Sequence, residues 1–343
     1  MSQPPVIVVA DLTSRNWMGG GLFWPLAKHL YQPLDFGLYL AKAAAVREAA
    51  YNFSAQTFYS LERLGYVAES LQADWALVHP RSAGLQRLAK MYDLVLAAPQ
   101  LVRHCMVRLS RQRCQLTGAR GRVVTLLDEP FKFGGQDPIQ AVNEANASGA
   151  CSTCVLAHFQ HAAAEYVRPL RPPYDASLFA PYMRNPHRRG RRFMLARRCY
   201  WPGELSVAMS SFGLRYPIRE AWTEKAPMDQ HSYLRKLASC RWVLDIEFKP
   251  SAGQIVVEAA LLGVPSFAGH GRTNAELLLP PDLLLPRNAT LSSVIARINS
   301  TVHYYERRPD EYVQLCTELK DRAARLFRPP SARELYRTAS ECC

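Results

Sequence analysis

The stretch Pro250-Ser251-Ala252-Gly253-Gln254-Ile255-Val256-Val257-Glu258-Ala259-Ala260-Leu261-Leu262-Gly263-Val264-Pro265 carries the residue types best placed to bind an anion. The apolar run 242–246 before it reads as a strand. Ser251, Ala252 and Gly253 read as a small-residue loop that opens a helix. A helix N-terminus aims unpaired N–H groups and a partial positive charge at whatever lies above it. A diphosphate suits that place, and small residues let it approach the backbone of Gly253 and Gln254 closely. Glu258 follows about one turn into the helix, where a carboxylate can accept hydrogen bonds from ribose hydroxyls. Gly263 is positioned to end the helix and Pro265 to prevent its return. Lys249 adds a second positive charge to the loop, or is simply solvated. The plainer reading of the stretch is a βαβ crossover with an incidental glutamate.

Two further groups could take part in chemistry. Asp128 and Glu129, in Leu126-Leu127-Asp128-Glu129-Pro130-Phe131, stand at the C-terminal end of a predicted strand, 123–127. Carboxylates there point into the crevice of an α/β sheet and can take a proton from a hydroxyl. Asp128 is the preferred base; the alternative is a turn or cap residue. Gly19, Gly20 and Gly21 follow the first predicted strand, 6–10, and form a candidate cleft loop. Arg103, Arg108, Arg111 and Arg113 lie in a segment without acids. They form either a solvated helix face or a basic wall that holds an acceptor such as DNA. Cys151, Cys154, His158 and His161 are zinc-ligand types, but their spacing is too compressed for an ordinary finger. No metal site is expected, and no Asp-x-Asp motif demands one.

The elements that must position these residues follow an α/β rhythm. Strands are predicted at 6–10, 75–78, 94–97, 123–127, 154–157, 193–196, 216–221, 242–246 and 265–268. Helices are predicted between them, notably over 36–72, 204–212, 229–240, 255–262 and 274–279, with a mostly helical end from 291. Alternating strands and helices argue for parallel sheets. The Pro-rich break Arg168-Pro169-Leu170-Arg171-Pro172-Pro173 marks a stiff linker. It divides the chain into an N-terminal acceptor domain, 1–168, and a C-terminal donor domain, 169–320. The end, 321–343, is expected to cross back to the first domain.

The chain has 343 residues, with 42 Lys and Arg against 29 Asp and Glu, a net charge of +13. That balance favours polyanionic partners: diphosphate, nucleic acid or anionic lipid. No apolar run is long enough to span a bilayer. Residues 1–5 lack the basic start and apolar core of a leader. A cytoplasmic monomer with reduced thiols is expected.

Strand, small-residue loop, helix with Glu258-Ala259, then Gly263-x-Pro265 resembles the donor site of GT-B glycosyltransferases. Residues 167–179 are similar to the family's inter-domain phrase, and Ala196-Arg197-Arg198 stands where the family often has Gly-Arg. The resemblance spans about 165 to 290 and implies two Rossmann-like domains facing each other across a cleft. It implies a nucleotide-sugar co-substrate, UDP-linked, with no tightly bound cofactor and at most an optional divalent metal. Glu258 would then bind the donor ribose, and the Gly253 and Gln254 amides the phosphates. Arg197 or Arg198 would neutralise the leaving diphosphate. Many retaining members carry a second Glu eight residues earlier; here that place is Pro250. The segment around Asp128 is also similar to the base region of T-even phage DNA β-glucosyltransferases. That likeness implies a hydroxymethylated pyrimidine in double-stranded DNA as acceptor, flipped from the stack to meet the sugar. A lipid-linked or cell-surface glycan precursor is the alternative acceptor. A decayed transferase fold that only binds nucleic acid is the alternative of another class.

Overall fold

Short apolar runs without alternation are the pattern of strands covered on both faces of a parallel sheet. In a computed structural model they form two such sheets. The structure describes strands β1 (Val6–Asp11), β2 (Gln32–Asp35), β3 (Leu38–Ala41), β4 (Asp74–Val78), β5 (Leu94–Ala97), β6 (Arg122–Leu127), β7 (Cys154–Ala157) and β8 (Val167–Pro169). It then describes residues 174–195, 213–220, 230–246, 253–269, 273–286, 289–331, 333, 334 and 337. The chain divides into two compact units, Met1–Tyr174 with Pro329–Cys343, and Asp175–Arg328.

The first sheet has the order β2-β3-β4-β1-β5-β6-β7-β8. It is parallel from β4 to β8, and β2 and β3 form an antiparallel hairpin on the β4 side. The hairpin corrects the expectation that residues 36–72 are helical from their start. Asp35 pairs with Leu38, so strand begins again two residues into that stretch. The Ala-rich remainder, 42–72, lies outside the described residues. At the other edge Pro169 ends β8, where a residue without an N–H is tolerated.

The second unit carries strands β9 (Gly190–Leu195), β10 (Ile218–Glu220), β11 (Cys240–Asp245), β12 (Ser266–Gly269) and β13 (Leu284–Leu285), in the order β10-β9-β11-β12-β13, all parallel. Strand β9 starts at Gly190 rather than Phe193, because Cys240 pairs with Gly190 ahead of the register shift. Helices are α1 (Gln230–Ser239), α2 (Gln254–Leu261), α3 (Thr273–Leu278), α4 (Leu291–Glu306) and α5 (Pro309–Leu326). The crossovers through α1 and α2 step the same way along the sheet, so their right-handedness places both helices on one face.

Phe193, Met194, Trp242, Val243, Leu244 and Phe267 are fully buried in this sheet. The Trp242 ring packs against Phe267, Tyr305 and Tyr312, with centroids 5.1, 5.8 and 5.4 Å away. In α2, Val256, Val257, Ala259, Ala260 and Leu261 are all buried. A helix apolar nearly all round has to be covered on several sides. It packs on β11 and β12 and against α5. The covering stripe of α5 is Tyr312, Leu315, Cys316, Leu319 and Ala323. Pro309 starts α5, and Asp310 and Glu311 complement its positive end.

The loop before β10 is clasped to α4. Asn299 accepts from the Arg215 N–H at 2.9 Å and donates to the Gly213 carbonyl at 2.9 Å. Glu306 pairs with the Arg215 guanidinium and accepts from the Tyr216 hydroxyl at 2.5 Å. Burial and the Glu306 hydrogen bond push the Tyr216 hydroxyl up to about 12. For Glu306, burial opposes ionisation, but bonds from Tyr216 and Arg215 outweigh it and hold the carboxyl below its ordinary value. A raised phenol stabilises the fold fully below its unfolded value, near pH 10, and loses that contribution as pH rises through about 12. Melting temperature should therefore fall more steeply over this interval in the wild type than in Tyr216→Phe. Parallel curves for the two proteins would refute the clasp's role.

Candidate functional site

Ligands of open α/β sheets bind beyond the carboxyl ends of strands where the strand order reverses. In the second sheet the chain runs from β9 out to β10 and returns on the other side as β11. The reversal thus falls between β9 and β11, with Leu195 and Leu244 paired near their carboxyl ends. Helix α2 follows β11 out of this point.

Gly253 caps α2 at φ 64 and ψ 45, in the left-handed region. Most residues disfavour that conformation, so glycine is required on backbone grounds. As a glycine, the N-cap residue brings no capping side chain of its own to the first-turn amides. Val256 N–H bonds back to the Gly253 carbonyl at 3.2 Å and closes the first turn.

Glu258 stands one turn further on and is only 7% exposed. Its Oε2 accepts a hydrogen bond from the Tyr233 hydroxyl at 2.8 Å. A carboxylate buried to this degree needs such donors, and the bond fixes its rotamer. Helical spacing groups Tyr233 with Leu234, Leu237 and Ala238 as an apolar face of α1. Leu234, Leu237 and Ala238 are fully buried, whereas Tyr233 turns its hydroxyl to the next helix. In the sequence Tyr233 reads only as one member of an apolar stripe, and nothing local signals its bond to Glu258.

At its other end α2 closes with a glycine, as its spacing predicts. Gly263 has φ 68. Its N–H bonds to the Ala260 carbonyl and the Val264 N–H to the Ala259 carbonyl, each at 2.7 Å. This is the paired bonding of a Schellman turn. Beyond it, Arg189 donates to the Leu262 carbonyl at 2.9 Å and to the Gly263 carbonyl at 2.5 Å. Arg189 belongs to the basic, poorly apolar run 185–192, yet it is buried. Its arginine neighbours disguise it in the sequence.

Of the predicted site residues, Gly253, Gln254 and Glu258 are brought together on α2. Gly19, Gly20, Gly21, Arg103, Arg108, Arg111, Arg113, Asp128, Glu129, Arg197, Arg198, Lys249 and Ser251 lie outside the described residues. Strand β6 ends at Leu127, immediately before Asp128, and β9 ends at Leu195, two positions before Arg197. Of the possible zinc-ligand types, Cys154 starts β7 and the other three lie outside the described residues. Among the described residues no acidic, His and Cys group is placed to hold a metal ion. None of their helices is long and apolar enough to cross a membrane.

Two solved structures align along nearly the whole chain. HepE of Anabaena, solved with UDP and glucose, shares 14% identity over 98% of each chain, at a TM-score of 0.57. A glycosyltransferase of Rickettsia africae shares 9% identity over 99% of this chain and 98% of its own, at 0.55. The chain has the GT-B fold. No family model and no curated protein matches it by sequence. Within the GT-B fold, α2 is the helix that leaves the strand-order reversal of the second unit.

The Tyr233–Glu258 bond predicts a measurable coupling. Removing a hydrogen bond to a carboxylate costs about 1.5 kcal/mol. Tyr233→Phe should therefore destabilise the fold by about that free energy in a denaturant titration. Unchanged stability would show that Glu258 needs no such support.

Proposed function

We propose that the chain is a glycosyltransferase that moves a sugar from a nucleotide-sugar, UDP-linked, to an acceptor hydroxyl. The observation that carries this reading is the pairing on one helix of a left-handed glycine start, Gly253, with a buried, tyrosine-held carboxylate, Glu258. Helix-end amides suit a diphosphate, and a fixed carboxylate suits a ribose diol. The HepE structures solved with UDP, with UDP and glucose, and with UDP-glucose lend further support.

In this reading the second unit holds the donor. Glu258 accepts hydrogen bonds from the ribose hydroxyls. The Gly253 and Gln254 amides, with Ser251, hold the phosphates. Lys249 and Arg197 or Arg198 offset the charge that builds on the leaving diphosphate. The first unit takes the acceptor beside the Gly19–Gly21 loop. Asp128, with Glu129 beside it, removes the proton from the acceptor hydroxyl. The oxygen then bonds to the anomeric carbon as the bond to the phosphate oxygen breaks, and UDP departs with the electron pair. A base in line with that bond inverts the anomeric centre.

The net charge of +13 supports a polyanionic acceptor. Our choice is duplex DNA with a hydroxymethylated pyrimidine, held by Arg103, Arg108, Arg111 and Arg113. The enzyme works as a cytoplasmic monomer.

Incubation with hydroxymethylcytosine DNA and a panel of sugar nucleotides, followed by nucleoside mass spectrometry, tests both layers. A sugar-mass adduct that disappears in Asp128→Ala and in Glu258→Ala is the expected result. UDP at a hundred times its Kd should also stabilise the fold by about 2.7 kcal/mol. Stabilisation by UDP without an adduct would remove the DNA acceptor and direct the search to glycans. Neither effect with any nucleotide would remove the transferase reading.

A further inference from the structure

Arg189 is a cation placed inside the second unit, 5% exposed, between the turn Pro186–Arg188 and strand β9. Nη1 donates to the Gly263 carbonyl at 2.5 Å and lies 3.5 Å from the Cys316 sulfur. Nη2 donates to the Leu262 carbonyl at 2.9 Å and to the Arg184 carbonyl at 3.1 Å. These partners are carbonyls and a thiol, not a carboxylate. An interior charge without a counter-ion is costly, and it persists only where fixed dipoles replace water. The dipoles here are the C-cap carbonyl of α2 at Leu262, at the negative end of that helix, and the carbonyls of Gly263 in the turn beyond it and of Arg184. One guanidinium thus joins α2, α5 and the chain leading into β9. A lysine could keep the charge but not the fork.

We infer that Arg189 is a positioning residue for the nucleotide-sugar, acting through α2; this rests on the donor-site reading above. Helix α2 is a rigid rod roughly 12 Å long. A clamp on its carboxyl end sets where its amino end and Glu258 stand. The clamp lies directly against the turn: a Cβ at Gly263 would be in van der Waals contact, 3.4 Å from Nη2 of Arg189 and 3.4 Å from the Cys316 carbonyl. The charge contributes as well, because a buried cation beside the carboxyl end of α2 attracts the diphosphate through a poorly screened interior.

The test is UDP binding by calorimetry in the full chain, for wild type, Arg189→Lys, Arg189→Met and Glu258→Gln, with melting temperatures measured in parallel. Arg189→Lys should raise the Kd about threefold and Arg189→Met about thirtyfold. With donor turnover established, KM for the sugar nucleotide should rise while KM for the acceptor stays. The deciding readout is Arg189→Lys combined with Glu258→Gln. If Arg189 acts through α2, the two losses combine less than multiplicatively. Fully multiplicative losses would mean that Arg189 supports the fold alone, and would overturn the inference. An unshifted Kd in Arg189→Lys would overturn it too. If Arg189→Met does not fold, the lysine variant carries the test. A wild-type protein that binds no nucleotide would overturn the donor-site reading and this inference with it.

Discussion

A short apolar helix buried at both ends must find partners for carbonyls that water cannot reach, and that requirement organises the second unit. Helix α2 has little polar surface of its own. Its amino end is left to backbone amides, and its carboxyl end is closed by a glycine turn and a guanidinium. Strand β9 is entered directly after that guanidinium, and α5 lies against the same corner through Cys316. The sheet, the covering helix and the candidate site thus share one hydrogen-bonded junction. Glu258 is held between the two ends by a neighbouring helix, so the polar group on this helix is also fixed from outside.

Much of this was legible in the residues. The apolar runs at 75–78, 94–97 and 154–157 lie within or coincide with observed strands, because parallel strands announce themselves by continuous burial. Glycine and proline placed the end of α2 correctly, since its backbone needs a left-handed residue there. Two features were not legible, for physical reasons. The hairpin of β2 and β3 stands at the head of an Ala-rich stretch whose composition favours a helix, and only sheet pairing overrides it. Strand β13 has two residues, too few for any periodicity. In the candidate site, Glu258 was readable from its spacing. Tyr233 and Arg189 were not, because a contact between segments leaves no local pattern.

The charge balance acquires a different meaning once the arginines are placed. Arg189 is interior, Arg241 lies over the Tyr312 ring at 4.2 Å, and Arg215 is paired with Glu306. Each is tied to structure rather than to a partner. Cation–ring stacking and carbonyl capping suit guanidinium better than ammonium. Part of the chain's arginine content is therefore architectural.

The clasp between the loop before β10 and α4 also bears on the order in which the unit assembles. Its partners are far apart along the chain: Gly213 and Asn299, Arg215 and Glu306. Contacts of such long range form late and slow the search for the native state. Strand β10 is an edge strand whose neighbour is β9 alone. On a ribosome, it must wait for most of the unit to emerge before α4 can fasten its approach. Until then the approach to this edge strand lacks its longest-range fastening.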